Sequence, residues 1–189
     1  MSLLEQSIVL VKNGWKSPSK TLENPAFNMP SKALIILLPV LYSLTPAIIS
    51  ARDFQLLLGS ETNLFLFMIP TIFIGIVSYR VLIPSVLYYT GRIWKGESSF
   101  QQMRLAVVFS SLPSLLLLPI EIYELFSQES VFSNTLNTWS YIVQLYSFGL
   151  LIAYIKKVQN FNLQFAILNF ILPLIGLAII YVVLGVLIY

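Results

Sequence analysis

The chain has 189 residues, of which 57% are hydrophobic and 10% charged, with a net charge of +3. A typical soluble domain carries roughly 25% charge, and a water-soluble fold of this size exposes too much area to hide so much apolar surface. The absence of Cys and His excludes disulfides, thiol nucleophiles, Cys/His zinc sites and His general bases, and basic residues placed between apolar runs rather than on one face point away from nucleic acid.

Residues 1–24 do not read as a signal peptide, because Met1 to Val11 has no early Lys and contains Glu5 and Gln6. They predict a short interfacial helix: Leu4, Ile8 and Val11 share one face, Trp15 sits at headgroup depth, and Lys12, Lys16 and Lys20 meet anionic lipid. A disordered tail is the alternative. Pro18, Pro25 and Pro30 then interrupt regular structure.

Five apolar runs follow. Ala33 to Ala51 is uncharged over 19 residues, about 28 Å of helix and enough to cross a bilayer. Further spans are predicted at about 64–89, 104–123, 137–155 and 164–188. The third is short and holds Pro113 and Pro119. Nine Lys and Arg residues fall in the N-terminal segment and in the second and fourth connections, whereas Arg52 alone lies on the other side. The positive-inside rule puts the nine in the cytoplasm. The expected fold is an all-α, polytopic transmembrane bundle of about five spans, N-terminus cytoplasmic and C-terminus outside. Residues 1–31 form a cytoplasmic or interfacial segment and 32–189 the transmembrane domain.

Arg80 is the charge inside an apolar run. A central membrane Arg costs roughly 3 kcal/mol on insertion scales. Measured from Thr62, Arg80 lies about 27 Å along the second helix, which predicts snorkelling to the cytoplasmic boundary and headgroup contact, with an ion or substrate role as the alternative. Glu121 and Glu124, spaced i, i+3, share a helical face. They read as solvated outer-loop charges, and a cation site completed by Glu129 is the alternative. Asn169 lies deeper than the other asparagines and is expected to bond across helices. Ser98, Ser99, Ser110 and Ser111 lack a base, and Gly91 and Gly96 do not make a phosphate loop. No catalytic, cofactor or metal residues are expected.

The run Gly91-Arg92-Ile93-Trp94-Lys95-Gly96-Glu97-Ser98-Ser99-Phe100-Gln101-Gln102 resembles the Gly-Lys-Gly-Ser-Phe-Lys-Gln-like loop of prokaryotic Yip-domain proteins. The small-residue and proline element Ser110-Ser111-Leu112-Pro113 fits that family. So do Trp139 opening the fourth span, the basic pair Lys156-Lys157, Ala166, Pro173, and the Pro18-Ser19-Lys20-Thr21 element. The resemblance covers most of the chain and implies five spans with a cytoplasmic N-terminus. The Asp-Leu-Tyr-Gly-Pro-like motif of the eukaryotic members is missing, so their association with Rab-type GTPases is not carried over, and the resemblance is to the bacterial branch. For the matching residues, Gly96 is expected to allow a tight turn, Ser98 or Ser99 to cap the next helix, Phe100 to dip into the interface, and Arg92 and Lys95 to face anionic headgroups.

These readings predict a non-enzymatic protein of the bacterial inner membrane that scaffolds or organises partner proteins or lipids. Its expected partners are the bilayer with its anionic lipids, a membrane protein, or a second copy of itself. A small-solute or ion channel or transporter, lined by proline-broken helices, Arg80 and the outer glutamates, is the alternative.

Overall fold

In the computed structural model the described residues are 3–16, 32–58, 64–127 and 133–188. All their regular structure is helical. We label the helices α1 (Leu3–Lys16), α2 (Lys32–Leu58), α3 (Leu64–Val77, Ser78–Leu82 and Ile83–Ile93 in unbroken succession), α4 (Phe100–Ser110), α5 (Leu118–Ser127), α6 (Ser133–Val158) and α7 (Leu163–Ile188). Two are long and apolar enough to cross a membrane: Phe65–Ile93 of α3 and Thr138–Val158 of α6. Shorter apolar stretches run over Ile36–Ala51 in α2 and Leu163–Ile179 in α7.

Proline shapes these helices without ending them. Pro39 and Pro46 sit inside α2, and Pro173 inside α7. In α3 the ladder widens to a π-type turn over Ser78–Leu82, where the Ile83 N–H reaches back five residues to the Ser78 carbonyl. Pro84, which has no N–H to give, follows at once. Arg80 lies in this widened turn, and α3 continues past it to Ile93, about 20 Å further.

The third predicted span, 104–123, is not one helix. It starts earlier, at Phe100, and breaks into α4, a 3-10 turn over Leu112–Leu116, and α5. Pro113 and Pro119 withhold backbone donors. Just before the break, the Ser110 and Ser111 hydroxyls donate to the Val107 carbonyl at 2.9 and 3.1 Å, a local bond that competes with helix continuation.

α2 and α3 pack most extensively. They cross at Ser43 and Gly75, where a Cβ on Gly75 would strike the Ser43 side chain. Small residues at such crossings let helix backbones approach where lipid offers no hydrophobic drive. The Tyr42 and Tyr79 rings meet beside the crossing at 5.5 Å. The core is drawn chiefly from α4 and α6, with Met103, Phe109, Leu112, Tyr154 and Ile155 almost wholly buried. Large apolar side chains such as Phe65, Leu66, Ile69 and Phe73 cover the outside of α3 and are exposed. A membrane accounts for such a surface, because lipid is the solvent it suits.

α1 forms as expected, and of its predicted apolar face Val11 turns inward while Ile8 does not. Gly14 is buried, and its missing side chain admits Leu112 and Phe109, which would stand 2.9 and 3.1 Å from a Cβ. Val11 packs against the same core, while Ile8 is 59% exposed. Lys12 and Lys16 remain exposed. The helix is docked on the bundle rather than lying on lipid alone. The side chains of Leu4 and Trp15, and the whole of Pro18 and Lys20, lie outside the described residues.

Candidate functional site

The end of the bundle carrying Arg92, Lys95, Lys156 and Lys157 is built from two similar turns. At the end of α3 the Gly96 N–H donates to the Gly91 carbonyl at 2.9 Å, and the Lys95 N–H to the Arg92 carbonyl at 3.1 Å. At the end of α6 the Phe161 N–H donates to the Lys156 carbonyl at 2.9 Å. These bonds make Schellman-type helix ends, whose penultimate residue adopts left-handed geometry. Lys95 (φ 60°) and Asn160 (φ 57°) occupy that position.

Gly96 therefore serves another purpose than the one expected. The left-handed residue is Lys95, and Gly96 leaves room for a neighbour. Gln159, 1% exposed, inserts its side chain between Gly91 and Gly96, and a Cβ on either glycine would collide with its amide. The Gln159 Oε1 accepts from the Ser98 N–H at 3.3 Å, and the Gln159 carbonyl accepts from the Glu97 N–H at 3.3 Å. Asn160 Nδ2 donates to Glu97 Oε2, also at 3.3 Å. One short stretch, Gln159-Asn160, thus ties the α6–α7 connection to the α3–α4 connection. Deeper in, Thr90 of α3 donates to the buried Asn169 of α7. This is the cross-helix bond anticipated for Asn169.

Arg92 belongs to the clamp. Its guanidinium donates to the Gly96 carbonyl at 3.0 Å and to the Ser98 carbonyl and the Tyr88 hydroxyl, each at 3.1 Å. It also stacks 5.0 Å from the Tyr88 ring. Holding two loop carbonyls is work for a fork of N–H donors, which Lys cannot imitate. Ser99 starts α4 with a reciprocal cap: the Gln102 N–H donates to Ser99 Oγ at 3.2 Å, and the Ser99 N–H to Gln102 Oε1 at 2.8 Å. Phe100 packs edge-on against Tyr88 at 5.9 Å and lies under Arg104, rather than standing free at an interface.

Arg92, Lys95, Lys156 and Lys157 are all exposed at these turns, and of the four Arg92 is engaged in the clamp. The lysines ride on a surface cross-braced by hydrogen bonds between the two connections. Arg80 is half-buried and stands apart from the clamp. Its positive field reaches Arg104, and neither arginine has a carboxylate partner among the described residues. Glu121 is half-buried and lines a cavity between helices, so it is not a solvated loop charge. The Glu124 side chain and all of Glu129 lie outside the described residues. Among the described residues no three metal-ligating side chains cluster.

Sequence reasoning missed Gln159. Its signal was faint: one amide just beyond Lys156-Lys157, with nothing in the chain to say that two distant glycines surround it. It also missed a polar row on α6, Ser140-Gln144-Ser147, whose spacing does mark one helical face.

No curated protein and no solved structure matches the chain. A family model described as the Yip1 domain matches residues 15–186, a stretch that includes both turns of the clamp, the π-type turn and the proline-broken third segment. The chain is thus a membrane protein that belongs to the Yip1 domain family.

Proposed function

We propose that this chain is a non-enzymatic, multi-pass scaffold that presents a rigid cationic surface to the cytoplasm of a bacterial inner membrane. The supporting observation is the Gln159 clamp. It braces two connections against each other and leaves Lys95, Lys156 and Lys157 pointing outward. A surface whose shape is set before binding loses less entropy when a partner arrives. Each exposed cation near an anionic leaflet contributes about 1 kcal/mol of attraction.

On this reading the polypeptide crosses the membrane five times, with its N-terminus in the cytoplasm and its C-terminus outside. The charge asymmetry supports it: the clamp cations lie on the side that holds nine of the basic residues. Transport is less well supported. Arg80 does not line the cavity between the helices, and Phe109, Tyr154 and Ile155 are packed in the core with almost no exposed surface.

Site-specific photocrosslinking from positions 95 and 157 in intact cells tests the scaffold. A discrete protein or anionic-lipid adduct is expected, lost when Lys95, Lys156 and Lys157 are changed to Glu. Absence of any adduct, together with a strictly monomeric purified protein, would overturn the reading.

A further inference from the structure

Arg80 and Arg104 are cations that the clamp does not use. α4 packs against the π-type turn that carries Arg80, and the two arginines share one electrostatic neighbourhood. Both are half-buried. Among the described residues Arg80 donates no hydrogen bond, and neither arginine is ion-paired. The Nε of Arg104 is buried and meets no acceptor. Glu97 is the one acid between Leu64 and Ser110, and it is bonded to Asn160. Like charges that are partly desolvated and unpaired cost free energy. Within a membrane span such groups mark a place where a counter-charge is bound.

Local structure prepares both groups. π-type turns are rare and concentrate at functional sites, and this one holds Arg80. On α4 the Phe100 ring stands 5.9 Å from the Arg104 guanidinium carbon and is itself held edge-on by Tyr88. A ring behind a guanidinium leaves its in-plane N–H edges for another partner. Those edges select the anion. A guanidinium fork matches two phosphate oxygens at once, and a phosphate has enough oxygens for two forks. The apolar Phe65–Ile93 stretch has 29 residues, about 43 Å of helix against a hydrocarbon core of about 30 Å. The surplus lets the middle of α3 lie off the bilayer centre, from where a long arginine side chain reaches the headgroup layer.

We propose that Arg80 and Arg104 form a phosphate-binding site on the α3–α4 side of the bundle, with their guanidiniums as its cationic ligands. The phosphate belongs either to the headgroup of an anionic lipid or to a free ion. The site does not use Lys95, Lys156 or Lys157, and failure of the crosslinking experiment leaves it standing.

Thermal unfolding of the full chain in nanodiscs tests this. In one arm, phosphatidylcholine discs are compared with discs that also contain phosphatidylglycerol. In the other, phosphatidylcholine discs receive inorganic phosphate or chloride at equal ionic strength. An anion that binds the folded protein raises its unfolding temperature, and a rise is expected in at least one arm. A rise with phosphatidylglycerol alone identifies a lipid headgroup, one with inorganic phosphate alone a free ion, and one with both a site open to either. Arg80→Met and Arg104→Met should each remove most of the rise, measured against the variant's own phosphatidylcholine baseline. The combined change Lys95→Gln, Lys156→Gln and Lys157→Gln should keep it. No rise in either arm would overturn the proposal. So would an equal rise with chloride, a full rise in either arginine variant, or a rise lost with the three lysines.

Discussion

Gln159, just past the end of α6, occupies the space that a side chain on Gly91, near the end of α3, would need. The close approach lets one amide brace two connections, because its Oε1 then lies within reach of the Ser98 N–H. Filling that space should be costly. Gly91→Ala or Gly96→Ala is expected to destabilise the protein by about 1–3 kcal/mol, the usual range for overpacking. Combining Gly91→Ala with Gln159→Ala should cost clearly less than the sum of the two single changes. Thermal unfolding in detergent, followed by intrinsic fluorescence, reads the cycle, and strict additivity would disprove the coupling.

Arg92 and Lys95 are neighbours on the basic surface with different tasks. Arg92 holds the Gly96 and Ser98 carbonyls, whereas Lys95 is exposed. Arg92→Lys should lower stability by about 1–2 kcal/mol, since bonds from charged donors are worth roughly 1.5–3 kcal/mol and Lys recovers only some of them. Lys95→Gln should leave stability nearly unchanged and weaken binding to anionic vesicles in a salt-dependent way. Vesicle flotation at low and high salt, beside unfolding curves, separates the two.

Ser99 caps α4 reciprocally with Gln102. Ser99→Ala should cost about 1 kcal/mol. Ser99→Asp should restore most of it, because an aspartate accepts the same N–H bond and complements the helix dipole. Unfolding temperatures of the three proteins provide the check, and an alanine variant as stable as its parent would contradict the cap.

Gly14 lets α1 sit against Leu112 and Phe109. Gly14→Leu should lift the helix from that seat. The expected sign is faster amide exchange across residues 3–16, with exchange in α4 and α6 little altered. Equal protection in wild type and variant would mean that the contact holds nothing.

Arg80 sets a like charge in the neighbourhood of Arg104, and neither has an acidic partner among the described residues. Arg80→Met should therefore leave stability within about 1 kcal/mol of wild type or raise it, since desolvated like charges oppose folding. A large loss of stability would reveal a partner that offsets the repulsion.

The sequence by itself determined the helical, membrane-protein character, since long uncharged stretches such as Leu163–Ile179 have only lipid or a large core to face. It also held the loop Gly91–Gln102, whose resemblance pointed to the matched family, and a cap at Ser98 or Ser99, of which the structure uses Ser99, because caps and loop motifs are contiguous. Even the bond of Asn169 across helices followed from one polar side chain placed deep in an apolar run. Only the tertiary structure decided that Gln159 needs two glycines, that Arg92 braces carbonyls instead of greeting lipid, and that Glu121 joins a hydroxyl-lined cavity. Each of those depends on which helix lies beside which, a choice made by packing between residues far apart in the chain. Local propensity and hydropathy carry no record of such distances.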